Sequence, residues 1–128
     1  ETIYYMGPTP AKPGQAVGSA GPTTSGRMDK YTKTMIEVGK ISGMIGNGYR
    51  SKEVIDSMIK NCVVYMVAIG GAGALISQSI KKYEILAYPE LGPEALARIT
   101  VENFPAIVAI DSYGNNFYKV GQALYKKI

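Results

Sequence analysis

The residues best suited to chemistry sit together at Thr23-Thr24-Ser25-Gly26-Arg27, just ahead of Met28-Asp29. A helical pattern opens near Met28, so this stretch precedes a helix N-terminus. Unpaired backbone N–H groups and the positive dipole end favour an anion there. Thr23, Thr24 and Ser25 add hydroxyls, Gly26 lets backbone approach a ligand closely, and Arg27 carries a planar fork that matches a carboxylate in bidentate fashion. Together they can form a carboxylate cradle. The same residues also admit a plainer account, in which Thr24 or Ser25 is an ordinary N-cap and Arg27 lies in solvent. Hydroxyls before helices are common, and physics alone accounts for them as caps.

What the chain lacks narrows the chemistry further. Its 128 residues include no His, no Trp and one Cys. A Ser-His-Asp triad, a Cys-His pair, His-ligated metal and imidazole acid–base catalysis are therefore excluded within this chain. One Cys can neither form an internal disulfide nor supply the thiolates of an iron–sulfur cluster. Any hard chemistry must lean on a partner. Lys and Arg number 14 against 10 Asp and Glu, a net charge of +4. Apart from Lys81-Lys82 and Lys126-Lys127 the cations are scattered, and the ten tyrosines are dispersed, so neither a nucleic-acid stripe nor a base-stacking platform is expected. A small anion suits the balance. The apolar run from Val63 to Ile69 is far short of a membrane span, and no membrane partner is expected. Glu1 opens without a signal-like segment; with the single Cys this places the chain in a reducing cytoplasm, and the missing initiator Met reads as part of a longer polypeptide.

The elements that must position the cradle follow from periodicity. Ile3-Tyr4-Tyr5-Met6 is β-prone and stops at the Pro-rich stretch Gly7–Gly14, and Ala16–Ala20 reads as a brief strand. Met28–Val38 is helical, with Tyr31, Met35 and Val38 sharing a face and Gly39 ending it. Ile41, Met44 and Ile45 mark a strand that Gly46-Asn47-Gly48 turns. Ser51 caps a helix reaching about Asn61 with Val54, Ile55, Met58 and Ile59 inward. Cys62–Ile69 has the character of a strand buried on both faces, which makes Cys62 a core residue rather than a nucleophile. Gly70-Gly71-Ala72-Gly73 leads into a short helix, Ala74 to about Ile80. It lacks the spacing and the Lys-Ser/Thr of a phosphate loop, so close helix–strand packing explains it better. Tyr83–Ala87 is a strand, Pro89–Pro93 a turn, Glu94–Arg98 one or two helical turns, Ala106–Ile110 an apolar strand, Asp111–Asn116 a turn and Tyr118–Lys127 a closing helix. Alternating strands and helices give one α/β domain over residues 1–128 with largely parallel central strands, and the early Pro-rich strands point to a second, smaller sheet layer.

Gly-Pro-Thr-Thr-Ser-Gly-Arg-Met-Asp at 21–29 resembles the signature of the β subunit, or C-terminal domain, of class I (iron–sulfur) fumarate hydratases. The resemblance continues through Gly48-Tyr49-Arg50-Ser51, Gly70–Ala74, Tyr88-Pro89-Glu90-Leu91-Gly92 and Val101–Ala106, in order along most of the chain. The related L-tartrate dehydratase β subunit shares the Thr-Thr and Arg-Met elements. It usually has a bulkier residue where Gly26 stands and Glu in place of Asp29, so fumarase is the closer likeness.

The resemblance implies a three-layer swivelling β/β/α domain in a hydro-lyase that reversibly hydrates fumarate to (S)-malate, a step of the tricarboxylic acid cycle. It implies a [4Fe-4S] cluster bound by a partner α subunit, a hetero-oligomer, and inactivity of this chain alone. Thr23, Thr24, Ser25, Gly26 and Arg27 would contact the dicarboxylate. Arg27 would pair with a carboxylate, and Thr24 or Thr23 would take part in proton transfer at carbon. The family's turn after the third strand normally reads Gly-Lys-Gly, and that Lys helps bind substrate; here Asn47 fills the place, keeping a hydrogen-bond donor without the charge. Lys40 or Arg50 is a candidate replacement for that charge. An upstream Arg-Asp…His element of the family has no counterpart in this sequence. Action on tartrate, and dicarboxylate binding without catalysis, are the other readings. A shared site also requires exposed apolar surface for docking.

Overall fold

The computed structural model describes residues 1–69 and 71–125, which divide into two compact units. The first comprises Glu1–Tyr5, Thr24–Ala68 and the chain from Ala106; the second comprises Met6–Thr23 and Ile69–Pro105.

The first unit is an α/β layer. Its four-stranded sheet has the order β1 (Thr2–Tyr4), β4 (Gly43–Gly46), β5 (Val64–Val67), β8 (Ile107–Ile110). β1 with β4 and β4 with β5 are parallel; β8 runs antiparallel at the edge. The parallel step from β4 to β5 is bridged by α2 (Lys52–Asn61), as a crossover requires. Ser51 caps that helix as expected, its Oγ accepting from Val54 N at 3.3 Å. α2 packs on α1 (Asp29–Glu37).

The core follows the strand period. Met44, Tyr65 and Ile110 are register partners across β4, β5 and β8 and all are fully buried. Val54, Met58 and Ile36 from the two helices close over that row. The alternate positions Ile45 and Met66 are half-buried, so β5 is sealed on one face and only partly on the other.

α1 turns a different side inward from the one its apolar spacing suggests. Thr32 and Ile36 are buried, whereas Tyr31, Met35 and Val38 are 54%, 41% and 76% exposed. Thr32 tolerates the interior because its hydroxyl donates to Met28 O at 2.8 Å, which leaves oxygen lone pairs for a second partner. In α2, Val54 and Met58 face inward as expected, but Ile59 is exposed. Cys62 is not a core residue. It caps α2 in the left-handed conformation, φ 55°, with its side chain exposed, and the strand starts two residues later.

In the second unit β2 (Met6–Pro8) and β3 (Ala20–Pro22) form an antiparallel pair. The strand expected at Ala16–Ala20 lies later, and Gly7-Pro8 belong to a strand rather than to the loop. Thr9 ties the Pro-rich loop together: its N–H donates to Ser19 O, and its Oγ1 accepts from Ser19 N at 2.7 Å. α3 (Gly73–Ser79) approaches β3 so closely that a Cβ on Gly73 would lie 2.9 Å from Gly21 N. A second antiparallel pair joins β6 (Ile80–Ala87) to β7 (Leu96–Val101). Glu94–Arg98, expected to be helical, instead ends a 3₁₀ segment over Pro89–Glu94 and enters β7. Helix-forming residue types lose there to pairing with a long neighbouring strand. α4 (Phe117–Tyr125) closes the described chain; Lys126 and Lys127 of the expected closing helix lie outside the described residues.

The packing of α1 and α2 can be read by unfolding. Met58→Ala empties a buried position and is expected to cost about 2–5 kcal/mol. Met35→Ala, on the exposed side of α1, is expected to stay within about 0.5 kcal/mol. Chemical denaturation of both variants checks this, and similar losses would contradict the burial pattern.

Candidate functional site

The first candidate segment leads from the chain into a 3₁₀ turn, Ser25–Met28, followed directly by α1. Thr24 is extended and occupies the cap position, but its side chain caps nothing. It forms instead an isolated parallel bridge with Asn47, the residue that follows β4. Ser25 N donates to Asn47 O at 2.9 Å, and Asn47 N donates to Ser25 Oγ at 3.2 Å. The fold therefore brings Asn47 alongside Thr24 and Ser25, of which Ser25 lies 22 positions earlier in the chain.

Ser25 is completely buried, and its hydroxyl also lies 3.2 Å from the Tyr65 hydroxyl. That phenol donates to Gly48 O at 3.0 Å. Burial pushes the Tyr65 phenol up from its ordinary range, against the opposing pull of the Ser25 hydrogen bond and the Arg50 charge. It is therefore protonated and able to donate at neutral pH. Ser25 thus spends its side chain inside the protein, neither as a helix cap nor on a ligand. Gly46 is required beneath it, since a Cβ there would overlap Ser25 Oγ. Gly48 completes the turn at φ +88°, a region that glycine enters without steric cost.

Gly26 does permit a close approach, but the neighbour is the chain itself: a Cβ would sit 3.2 Å from Tyr49 O. Arg27 is exposed and has no carboxylate partner among the described residues. Thr24 and Asn47 are exposed as well. Thr23 ends the first segment of the second unit and is half-buried, with its methyl 3.2 Å from where a Gly7 Cβ would stand.

Arg50 was one candidate for supplying charge near Asn47, and its position rules that out. Its side chain is fully buried; Nε donates to Asp29 Oδ1 at 2.7 Å and Nη2 to Thr32 Oγ1 at 3.0 Å. The guanidinium also lies over the rings of Tyr65 and Tyr5, 4.9 and 5.4 Å from their centroids. Asp29 Oδ2 accepts from Ser51 N at 2.6 Å, so one carboxylate fixes both the guanidinium and the start of α2. Lys40 precedes β4 whereas Asn47 follows it, which puts the length of the strand between them. Arg27 is left as the exposed arginine of the motif, three positions after Thr24 in the chain.

Asp29, Arg50 and Tyr65 carry the site's framework, and sequence reasoning gave none of them that role. Asp29 and Arg50 do fall within the two motif segments, 21–29 and 48–51, which was the available signal. No spacing rule pairs residues across 21 positions in different elements.

With one exposed Cys, no His, and no three Cys, Asp or Glu converging among the described residues, this chain's own groups do not fit a metal ion or an iron–sulfur cluster. No helix among the described residues is long and apolar enough to cross a membrane.

In the first unit the segment leading into α1 and the turn after β4 carry an exposed hydroxyl, an exposed amide and a guanidinium with no carboxylate partner among the described residues. The chain belongs to the fumarase C-terminus family, whose model matches residues 1–121. It is 45% identical over 118 residues to the aerobic class I fumarate hydratase of Escherichia coli, covering 91% of this chain and 22% of that one. Fumarate hydratase 2 of Leishmania major is 44% identical over 117 residues, with 91% and 21% covered. The putative L(+)-tartrate dehydratase subunit beta of Methanocaldococcus jannaschii is 39% identical over 132 residues, with 98% and 68% covered. This chain thus spans about a fifth of the length of those fumarate hydratases and two-thirds of the tartrate dehydratase subunit.

The buried ion pair gives the site's first test. Arg50→Ala leaves the Asp29 carboxylate without its cation and is expected to cost about 3–5 kcal/mol of stability. Arg27→Ala, lacking such a partner, is expected to change stability by less than about 0.5 kcal/mol. Thermal or urea unfolding separates the two arginines; a reversed order would mean their roles have been exchanged.

Proposed function

We propose that this chain is the β component of a fumarate hydratase, a hydro-lyase of the cytoplasm that interconverts fumarate and (S)-malate when docked to an α partner. The observation that carries the reading is that Arg27, three positions after Thr24 of the Thr24–Asn47 bridge, is exposed and has no carboxylate partner among the described residues, on a rim held from within by Ser25 and Asp29. A doubly charged C4 acid needs at least one cation aimed at a carboxylate, and an arginine fork supplies two parallel N–H donors. Asn47 adds an uncharged donor. Gly26, packed on Tyr49 O, keeps the rim tight, and Ser25 positions it from inside.

In this reading the [4Fe-4S] cluster belongs to the α partner, and the 1–128 chain acts as one swivelling β/β/α domain that is inactive alone. Thr24, whose hydroxyl has no partner among the described residues, moves the proton at the substrate carbon, with Thr23 beside it in sequence. A neutral hydroxyl is a weak base, so Thr24 serves as a relay whose charge must be taken up by neighbours. Stripes such as Met28, Tyr31, Met35 and Val38 on α1, or Phe117, Val120 and Leu124 on α4, offer apolar surface for docking.

A second reading, the β subunit of a tartrate dehydratase, draws support from the coverage of two-thirds of a separate subunit by this chain. Competition between tartrate and fumarate in the assembled enzyme distinguishes the substrates. Dicarboxylate binding without turnover would leave a non-catalytic binding module.

The rim is tested in the assembled enzyme by following fumarate absorbance. Arg27→Ala is expected to raise KM strongly, by an amount equivalent to about 2–5 kcal/mol. Thr24→Ala is expected to lower kcat by about 10²–10⁴-fold with a smaller effect on KM. Unchanged parameters for Arg27→Ala would remove the guanidinium from the site.

A further inference from the structure

One set of contacts to the Asn47 turn comes from α4, which supplies no residue to the proposed dicarboxylate rim. β8 ends at Ile110, and Asp111 then folds the chain back: Oδ1 accepts from Tyr113 N at 3.0 Å and from Asn115 N at 2.9 Å. The Asn115 side-chain amide, 2.8 Å from Oδ2, contributes most to holding the Asp111 carboxyl below its usual range. Asn116 is buried, and its Oδ1 accepts from Tyr118 N at 3.0 Å, which starts α4. Tyr118, in the first turn after that cap, shares a helix face with Gln122 at i and i+4.

That face grips the turn. The Tyr118 hydroxyl accepts from Gly48 N at 3.3 Å, its ring lies 4.7 Å from that of Tyr49 at 46°, and Gln122 Nε2 donates to Tyr49 OH at 2.9 Å. Gly48 is the residue directly after Asn47, and its carbonyl is held on the other side by Tyr65. Both polar backbone groups of Gly48 are thus bound by tyrosine hydroxyls from different elements. Gly48 sits at φ +88°, where glycine is conformationally free unless something holds it.

We propose that Tyr118 is a positioning residue: α4 clamps Gly48 through the Tyr118 hydroxyl and thereby fixes the backbone of Asn47, bridged to Thr24, so that the Asn47 side-chain amide is held ready for dicarboxylate binding. The proposal rests on the dicarboxylate reading for its effect on binding, while the clamp itself is a matter of backbone order. Tyr118 touches no substrate in this arrangement; it acts through Gly48 and Asn47. Its contribution should therefore fall on KM rather than on kcat, and should vanish when the Asn47 amide is absent.

The test is Tyr118→Phe in the assembled enzyme, which keeps the ring stack and removes the hydroxyl. Amide hydrogen exchange over residues 46–49 is expected to accelerate, and KM for fumarate or malate to rise about twofold to tenfold with kcat nearly unchanged. Against an Asn47→Ala background the same change should leave KM where it was. Gln122→Ala, which loosens Tyr49 without touching the core, should accelerate the same exchange more weakly. Unchanged exchange in Tyr118→Phe would overturn the clamp, and so would a KM effect that adds in full to that of Asn47→Ala. If exchange accelerates but the parent enzyme neither binds nor turns over a dicarboxylate, the clamp stands and the reading of the site's function fails.

Discussion

A single carboxylate–guanidinium contact organises the first unit. Arg50 is buried beneath the very surface that carries the candidate rim, and it is affordable there only because every side of it is met. Asp29 supplies the countercharge, Thr32 an oxygen acceptor, and Tyr5 and Tyr65 present ring faces to its plane. A cation in that environment without Asp29 would carry an uncompensated desolvation cost of several kcal/mol. The pair also has a geometric effect. Asp29 opens α1 and Ser51 caps α2, so a carboxylate that bonds both Arg50 and the Ser51 amide sets the two helix starts against each other. The segments that precede those helices, 24–28 and 46–50, inherit that spacing.

This arrangement gives the two arginines of the motif segments opposite duties. Arg50 is spent on structure: its donors are committed, and its charge is already balanced. Arg27 is exposed, with no carboxylate partner among the described residues. On the proposed reading, an incoming carboxylate would meet one such cation rather than two. On the same reading the neutral Asn47, bridged to Thr24, would supply direction without adding charge.

The sequence made α2 and the Asp111–Asn116 turn legible because their signals are local: a serine before an apolar period, and a run of turn-forming Asp, Ser, Gly and Asn residues. Reading α1 by apolar spacing failed at its inward face for a physical reason. The buried side is organised around Thr32 and the Arg50 guanidinium, whereas Tyr31, Met35 and Val38 stay outside. Apolar periodicity finds the core only when the core is apolar. Cys62 misled for a related reason: it belongs by composition to the run that becomes β5 but by geometry to the end of α2. β7 was hidden because Glu94–Arg98 favours helix locally, while its strand state depends on β6. Thr23–Arg27 was visible as a candidate site, but Ser25's inward hydroxyl depends on Tyr65 and Asn47, 40 and 22 positions away.

The density of fastening around the rim bears on why such a surface would exist. Exposed connections ordinarily retain freedom, and any ligand that orders them must offset the entropy lost. Here Ser25 and Asn47 exchange hydrogen bonds, Tyr65 and Tyr118 hold Gly48 from two sides, and Asp29 holds Ser51. The exposed Thr24, Arg27 and Asn47 therefore start from backbone that is already placed, and little ordering remains to be done by a small anion. A connector with no ligand would gain only modest stability from so many specific contacts, several of which depend on glycines at 46 and 48 that cost conformational entropy to order. A rigid rim with uncommitted polar groups on its outer side gives those contacts a use: it spends folding energy in advance so that binding need not.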